Sequence, residues 1–217
     1  MRLRLLDLFC GAGGASMGYH RAGFEVVGVD NRPQKRYPFE FHLADALEYL
    51  AEHGHEYDVI HASPPCQGYS VTHSIWKGRE YPMLIEPLRE ILIRIGRPYV
   101  IENVPGSPLC CPIMLCGAQF GLKVYRHRLF ETSCLALSPP HVPHNDDTVG
   151  SGHGRSSKGF VSVTGHGGGR AWQDYGVRYA DYARYAMGIP WMSKAELSQA
   201  IPPAYTEWIG RQIIERR

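Results

Sequence analysis

The sequence predicts an α/β protein in which a mostly parallel sheet carries helices on both faces. Short apolar runs alternate along the chain with stretches of helical periodicity. A glycine-rich turn follows the first predicted strand, and a Pro-Pro-Cys turn follows the third. Alternating units of this kind form parallel sheets, because a helix is the usual crossover between two parallel strands.

The first half of the chain supplies most of the predicted elements. Strands are predicted over residues 4–9, 25–30, 57–62 and 98–101, and helices over residues 15–22 and 46–52. The clearest helix has one apolar face, made of Leu84, Ile85, Leu88, Ile91, Leu92 and Ile95. Pro87 implies either a kink in this helix or a helix that begins there.

Two further helices are predicted near the carboxyl end. Ser193 to Glu196 is a capping-box pattern that starts a short helix. Ala204, Tyr205, Trp208, Ile209 and Ile213 then form the apolar stripe of a last helix. We expect Tyr205 and Trp208 to be core residues.

Composition limits the class of protein. The chain has 217 residues, of which 44% are hydrophobic, so one domain can bury a substantial core. No long apolar segment occurs, so we expect neither a signal peptide nor a membrane span. We therefore expect an intracellular protein.

The six cysteines do not form the dense framework of a disulfide-stapled protein. Cys110, Cys111, Cys116 and Cys134, followed by His141 and His144, suggest zinc. Their spacings contain no C-x-x-C pair, which structural zinc sites usually have, so we expect no metal.

The charge is weakly asymmetric along the chain. Residues 1–120 carry 11 Lys and Arg against 13 Asp and Glu, whereas residues 121–217 carry 12 against 8. The basic second half is compatible with a phosphate-rich partner but does not require one.

Cys66 lies where a buried strand opens into a turn stiffened by Pro64 and Pro65. Ligands bind, and chemistry occurs, at the carboxyl ends of strands in open α/β sheets. Cys66 thus occupies the position of a nucleophile, although a buried structural cysteine is the alternative.

The first turn predicts a cofactor site of the nucleotide type. Residues 10–14 read Cys-Gly-Ala-Gly-Gly and open a helix, so backbone amides can approach a ligand closely. Asp30 ends the second strand, where a carboxylate can accept bonds from both ribose hydroxyls. A glycine-rich turn alone also occurs for tight packing.

Five motifs, in order, resemble those of the cytosine-5 DNA methyltransferases. Residues 7–14, 63–67 and 102–104 look like the cofactor loop, nucleophile loop and ENV motif of that family. Residues 126–128 resemble its Q-x-R-x-R motif, with Val124 in place of the glutamine. Residues 198–204 resemble the closing GN-A-V-P-P segment, with Ser198 and Gln199 in place of its glycine and asparagine.

The resemblance implies a Rossmann-like class I S-adenosylmethionine-dependent methyltransferase fold with a small recognition insertion. The implied activity is methyl transfer from S-adenosylmethionine to carbon 5 of a flipped-out cytosine in double-stranded DNA, by a monomer. A catalytic core over residues 1–131, a target-recognition segment over 132–178 and C-terminal helices over 179–217 are expected. An RNA (tRNA) cytosine-5 methyltransferase and a catalytically idle nucleic-acid-binding module of the same fold are the alternatives.

The resemblance also assigns roles to residues. Cys66 is the nucleophile, Glu102 bonds ring nitrogen 3 of the cytosine, and Arg126 and Arg128 hold the nucleophile loop, the base or a phosphate. If residues 126–128 are a strand, both arginines share one face and His127, expected to be structural, lies on the other. The implied cofactor residues are Phe9, Gly11, Ala12, Gly13, Gly14, Asp30, Asp45 and Pro64.

Two sets of assignments are less direct. Asp45 is equally suited to cap the helix that begins at Ala46, instead of meeting adenine. The implied substrate residues are Pro65, Gln67, Asn103, Arg155 and Arg170. The last two lie in a glycine-rich stretch, where we expect both arginines to read bases and Lys158 to meet phosphate. So short a recognition segment suits a phage or orphan enzyme. The resemblance thus implies a cytoplasmic protein, either bacterial or phage-encoded and acting in the host cytoplasm.

Overall fold

The computed structural model describes residues 2–69, 81–141, 143–144, 159–163 and 178–216. Its strands are β1 (Arg4–Leu8), β2 (Glu25–Asp30), β3 (Glu40–Leu43), β4 (Val59–Ala62), β5 (Tyr99–Asn103), β6 (Ile113–Leu115) and β7 (Arg128–Thr132). They form one sheet in the order β3-β2-β1-β4-β5-β7-β6. Strands β1 to β5 run parallel, while β7 pairs antiparallel with both β5 and β6. The prediction of a mostly parallel sheet is confirmed.

The helices cover both faces of this sheet. They are α1 (Gly14–Ala22), α2 (Ala46–His53), α3 (Ile85–Ile95), α4 (Tyr179–Met187), α5 (Lys194–Gln199) and α6 (Pro203–Glu215). Leu5 of β1 belongs to the core cluster formed with α1 and α6, and its neighbour Leu6 belongs to the cluster formed with α2 and α3. Successive side chains of a strand point to opposite faces, so the two helical layers lie on opposite sides.

The centre of the sheet is where a ligand is expected. Strand β1 lies between β2 and β4. From β1 the chain builds β2 and β3 on one side, and it then crosses back to build β4 and β5 on the other side of β1. In open α/β sheets the crevice at such a reversal, outside the carboxyl ends of the strands, binds ligands. The glycine-rich turn follows β1 and the Cys66 turn follows β4.

Helices α1 and α6 approach so closely that a side chain between them would not fit. A Cβ atom added to Gly18 would lie 2.0 Å from Oγ1 of Thr206 and 2.1 Å from the carbonyl oxygen of Pro203. The Thr206 hydroxyl donates a hydrogen bond to the carbonyl of Ala15 at 2.8 Å. The last helix therefore packs directly on the helix that follows the glycine-rich turn.

Local predictions for α3, α5 and α6 can be compared with the structure. Helix α3 begins at Ile85, so Pro87 falls in its first turn, where a missing N–H breaks no intrahelical bond. The capping box at Ser193 is confirmed, with Ser193 N–H donating to Glu196 at 2.6 Å. Tyr205 is fully buried as predicted, but Trp208 is 37% exposed, and its indole N–H bonds the Leu137 carbonyl at the surface.

None of the helices that the structure describes is both long enough and apolar enough to cross a membrane.

Candidate active site

The turn after β1 is held in an unusual backbone conformation. Phe9, Gly11 and Gly13 have φ of 57°, 50° and 81°. A bulky residue such as Phe9 rarely adopts positive φ, and such strain is concentrated at functional sites. A Cβ atom added to Gly11 would meet nothing within 4 Å, so there is open space over the turn.

Asp30, at the end of β2, is fixed beside that space. Its Oδ2 accepts the Gly11 N–H at 3.0 Å and its Oδ1 accepts the Arg32 N–H at 3.0 Å. Each carboxylate oxygen can accept more than one bond, so acceptor capacity remains for ribose hydroxyls. The strained turn and the oriented carboxylate together suit a nucleoside.

The rest of the predicted cofactor loop packs on the carboxyl-terminal part of the chain. The Ala12 carbonyl accepts the Trp191 indole N–H at 2.8 Å. A Cβ atom on Gly14 would lie 2.4 Å from the Ile201 carbonyl oxygen, so only glycine permits this approach. The segment that resembles the family's closing motif thus lies against the cofactor loop.

Asp45 caps helix α2, the alternative to an adenine contact that its position in the sequence suggested. Its Oδ1 accepts the N–H groups of Leu47 and Glu48 at 2.9 and 3.1 Å and so caps α2. The contact with adenine stays a prediction, for which Oδ2 is the available oxygen.

The Cys66 turn is braced on both sides. The Cys66 carbonyl accepts the Tyr69 N–H at 3.0 Å, and the Tyr69 hydroxyl accepts the N–H of Ile85 at 3.2 Å. On the other side the Asn103 amide donates to the buried Pro64 carbonyl at 3.0 Å. The thiol is half-buried at the end of this turn, with a half-buried Pro65 before it and an exposed Gln67 after it.

Asn103 therefore has a positioning role in this structure, and its contact with the substrate stays a prediction. Its side chain is 1% exposed, and its carbonyl oxygen accepts the Val104 N–H at 2.9 Å. An amide buried and bonded in this way holds the Cys66 turn to the end of β5.

Glu102 and Arg128 form an ion pair beside the thiol. Glu102 is 6% exposed on β5, and Arg128 Nε lies 3.1 Å from its Oε1 across the β5–β7 pair. Burial raises the pKa of the Glu102 carboxyl, against the opposing charges of Arg128 and Arg126. Burial also raises the pKa of the Cys66 thiol, whereas the Arg128 charge lowers it. Cys66, Glu102 and Arg128 thus act on one another electrostatically.

A buried chain of hydrogen bonds, not predicted from the sequence, leads from Tyr19 to Glu102. The Tyr19 hydroxyl lies 3.0 Å from His61 Nδ1, and His61 Nε2 lies 2.9 Å from Ser63 Oγ. Ser63 in turn bonds the Glu102 side chain. Burial lowers the pKa of His61 to about 3, so its ring is neutral. The available signal was a histidine inside an otherwise apolar strand.

Arg126 does not share a strand with Arg128, contrary to the prediction. Strand β7 begins at Arg128, and Arg126 has φ of 35° in the turn that precedes it. Its guanidinium donates to the carbonyls of Val163 and Ser198 at 2.9 and 2.7 Å. Arg126 therefore ties this turn to two distant segments, and its charge still acts on Glu102 and Cys66. Arg155, Lys158 and Arg170 lie outside the described residues.

Comparison with known proteins places the chain among methyltransferases. The family model described as "C-5 cytosine-specific DNA methylase" matches residues 3–106. Type II methyltransferase M.HgiDI of Herpetosiphon aurantiacus is 33% identical over 164 residues, 70% of this chain and 53% of the relative. Type II methyltransferase M.HgiGI of the same organism is 33% identical over 121 residues, 49% of this chain and 94% of the relative.

The similarity of fold extends over the whole chain. The crystal structure of S. pombe Dnmt2 methyltransferase superposes with a TM-score of 0.66 at 14% identity, covering 99% of each chain. That match establishes the Rossmann-like class I methyltransferase fold. The chain spans between 33% and 53% of the length of M.HgiDI and two other curated relatives that it matches.

Proposed function

The chain belongs to the C-5 cytosine-specific DNA methylase family, and we propose that it methylates carbon 5 of a flipped-out cytosine in double-stranded DNA through a covalent adduct with Cys66. The observation that carries the proposal is the meeting of the braced Cys66 turn with the Glu102–Arg128 ion pair at one edge of the sheet. A nucleophile, a carboxyl and a guanidinium are the groups that this reaction needs.

The chemistry follows from the weak nucleophilicity of cytosine carbon 5. The Cys66 thiolate adds to carbon 6, which forms a C–S bond and turns the ring into an enamine with electron density at carbon 5. Arg128 favours the thiolate by its charge. After carbon 5 has taken the methyl group, water or hydroxide accepts the carbon 5 proton, and elimination then breaks the C–S bond and regenerates the thiolate.

Glu102 would limit the negative charge that thiolate addition places on the base. Its buried carboxyl, with a raised pKa, keeps its proton to a higher pH than an exposed glutamate and can share it with ring nitrogen 3. The neutral chain from Tyr19 through His61 to Ser63 fixes the direction of that carboxyl. The ion pair with Arg128 also holds the Glu102 carboxyl in place.

The turn after β1 is the place for S-adenosylmethionine. The open space over Gly11 and the Asp30 carboxylate fit a nucleoside, and the family resemblance assigns Phe9, Ala12, Gly13, Gly14 and Pro64 to the same cofactor site. When bound, the cofactor supplies an electrophilic methyl group, which the enamine carbon 5 accepts. The chain's own contribution is to hold both reactants between the ends of β1 and β4.

Base flipping follows from the burial of the site. Glu102 is 6% exposed and Cys66 is half-buried, so a cytosine stacked within a duplex cannot reach them. Enzymes that act on a base in such a site take it out of the stack.

A methyl-transfer assay tests the proposal. The protein is incubated with S-adenosylmethionine labelled in its methyl group and with either duplex DNA or RNA, and digests are analysed by mass. We expect label in 5-methylcytosine of the DNA alone, and Glu102→Gln should slow transfer roughly a hundredfold. Glu90→Gln, an exposed glutamate of α3, is the matched control and should be active.

Two results would overturn the proposal. Label found only in RNA would show the wrong substrate class. Absence of label in both, from folded protein that binds the cofactor, would leave a binding module without turnover.

A further inference from the structure

Four side chains converge on one point outside the active site. Cys116 follows β6, His127 precedes β7, and His141 and His144 belong to the segment after β7. Their ligand atoms all lie within 4.8 Å of one another. Cys116 Sγ is 3.3 Å from His144 Nε2, His141 Nε2 is 3.2 Å from His144 Nε2, and His127 Nε2 is 3.3 Å from His141 Nε2.

Three of the six separations between these four atoms are close to the edges of a zinc tetrahedron. Zn–N bonds of about 2.05 Å and a Zn–S bond of about 2.3 Å imply N–N edges of ~3.4 Å and S–N edges of ~3.6 Å. The three measured contacts, 3.2 to 3.3 Å, lie within a few tenths of an ångström of those edges.

Hydrogen bonding between the rings does not explain the arrangement. His141 approaches both other histidines through the same atom, Nε2. A neutral imidazole nitrogen carries either one N–H or one lone pair, so it cannot make two well-directed hydrogen bonds. A cation at the centre would receive one lone pair from each ring and from the sulfur.

Ring stacking does not explain it either. His144 stacks on Tyr125 with centroids 3.7 Å apart and on His127 with centroids 4.9 Å apart. Stacking fixes the planes of the rings, but it does not require three Nε2 atoms and a sulfur to face one point.

Backbone donors outside the cluster orient the Cys116 sulfur. Cys116 is fully buried, and the backbone N–H groups of Ala118 and Gln119 point at its sulfur from the 3-10 turn over Gly117–Phe120. Hydrogen bonds from outside the ligand shell are what orient metal ligands and support their charge.

We propose that Cys116, His127, His141 and His144 form a structural zinc site. A thiolate with imidazoles suits zinc among the common divalent ions, and four protein ligands leave no open position for catalysis. The earlier expectation of no metal relied on the missing C-x-x-C pair. Here instead the ligands come from three separate segments, which only the fold brings together.

The site would clamp the backbone that presents the active-site arginines. His127 stands between Arg126 and Arg128, and its carbonyl accepts a bond from Arg128 at 2.8 Å. His141 and His144 lie at the start of the segment predicted to recognise the target. Zinc would thus fix the position from which that segment departs.

Metal analysis tests the proposal. The protein is purified without a histidine tag, under reducing conditions, and its zinc content is measured. We expect about one zinc per chain in the wild type and under about a fifth of that in Cys116→Ala and His144→Ala. Cys110→Ala and His20→Ala, which change an exposed cysteine and an exposed histidine outside the cluster, should keep the zinc.

A second probe covers the case in which an alanine variant does not fold. Zinc is removed from the wild type by chelation, and cobalt chloride is added. Tetrahedral cobalt absorption with a sulfur-to-metal charge-transfer band should appear, and His144→Cys should still bind the metal. Zinc content that does not change in Cys116→Ala and His144→Ala, or wild type that takes up neither metal, would overturn the site.

Discussion

Asp7 illustrates how strongly single positions of this site are constrained. It is fully buried on β1, it accepts a hydrogen bond from the Ser16 hydroxyl, and its Oδ1 has no partner among the described residues. Burial raises its pKa from 3.8 to about 7. The cofactor crevice is thus built over a carboxyl that ionises with difficulty.

Asp7 should make the protein less stable as the pH rises. Between pH 4 and 7 the folded state holds a proton that the unfolded state has lost, so the free energy of unfolding falls through that range. Asp7→Asn cannot ionise and should remove this fall, gaining on the order of 3 kcal/mol at pH 8 relative to pH 5. Urea unfolding at both pH values measures the difference. Parallel pH dependence in the two proteins would contradict the assignment.

The two roles of Asp45 can be separated by two substitutions. Asp45→Ala should lower the free energy of unfolding by about 1 kcal/mol, because α2 loses its cap. Asp45→Ser keeps a capping oxygen but is too short to reach adenine, so stability should be retained while S-adenosylmethionine binding weakens roughly fivefold. Calorimetric binding and thermal unfolding measure both quantities. Wild-type affinity in Asp45→Ser would leave capping as the only role.

The contact of α1 with α6 shows how the two ends of the chain build one site. In most helices Gly→Ala is favourable by about 1 kcal/mol. At Gly18 the new methyl group would collide with the Pro203 carbonyl at 2.1 Å, and backbone cannot move aside as a flexible side chain can. The collision therefore outweighs the gain in helix propensity.

Gly18→Ala should lower the free energy of unfolding by about 2 kcal/mol. It should also weaken cofactor binding, because Ile201 would be pushed from Gly14. Arg21→Ala, on the exposed side of α1, is the control and should change stability by under about 0.5 kcal/mol. Chemical unfolding and cofactor titration of both variants measure these effects. A Gly18→Ala protein as stable as the wild type would show that the helices are not in tight contact.

Elements with strong local patterns could be predicted from sequence, and elements made by distant contacts could not. β2 was predicted from its apolar run and α5 from its capping box, and both have the expected starts. β3 and β6 were missed because they have only four and three residues, too few to show a period even where, as in β6, every residue is apolar. The alternation at residues 126–128 suggested a strand, but carbonyl contacts with Val163 and Ser198 hold Arg126 in a turn.

The same distinction between local patterns and distant contacts holds for the residues of the candidate site. Cys66 and Asp30 were found because the first lies in the turn after a buried strand and the second ends one, which places both at the ligand-binding edge of the sheet. Glu102 was found through the resemblance of residues 102–104 to the ENV motif. The Tyr19–His61–Ser63 chain was not found, because its members come from separate segments. Cys116, His141 and His144 were considered for zinc and set aside, because nothing in their spacing shows that the fold brings them together with His127. Only the packing of the folded chain makes them neighbours.

At the scale of the whole molecule, the proposed activity requires that the protein select a target sequence. We predict that Arg155 or Arg170 reads a base, since a guanidinium can bond a guanine edge with two donors, and that Lys158 meets phosphate. Alanine in place of one of these arginines should relax the methylated sequence. Lys158→Ala should weaken binding evenly and lower its salt dependence by about one phosphate contact. Bisulfite profiles and binding at several salt concentrations test this, and an unchanged target preference in both arginine variants would place recognition elsewhere.

Covalent catalysis by Cys66 is tested most directly by trapping the adduct. Duplex DNA with 5-fluorocytosine at the target position is incubated with the protein and S-adenosylmethionine, and the mixture is denatured before electrophoresis and peptide mapping. Fluorine at carbon 5 blocks the proton loss that precedes release, so we expect a denaturation-stable adduct on the peptide that contains Cys66. Cys66→Ser should form none while still binding the cofactor, and Cys110→Ala should form it normally. Methylation that proceeds in Cys66→Ser, or an adduct mapped to another residue, would contradict the mechanism.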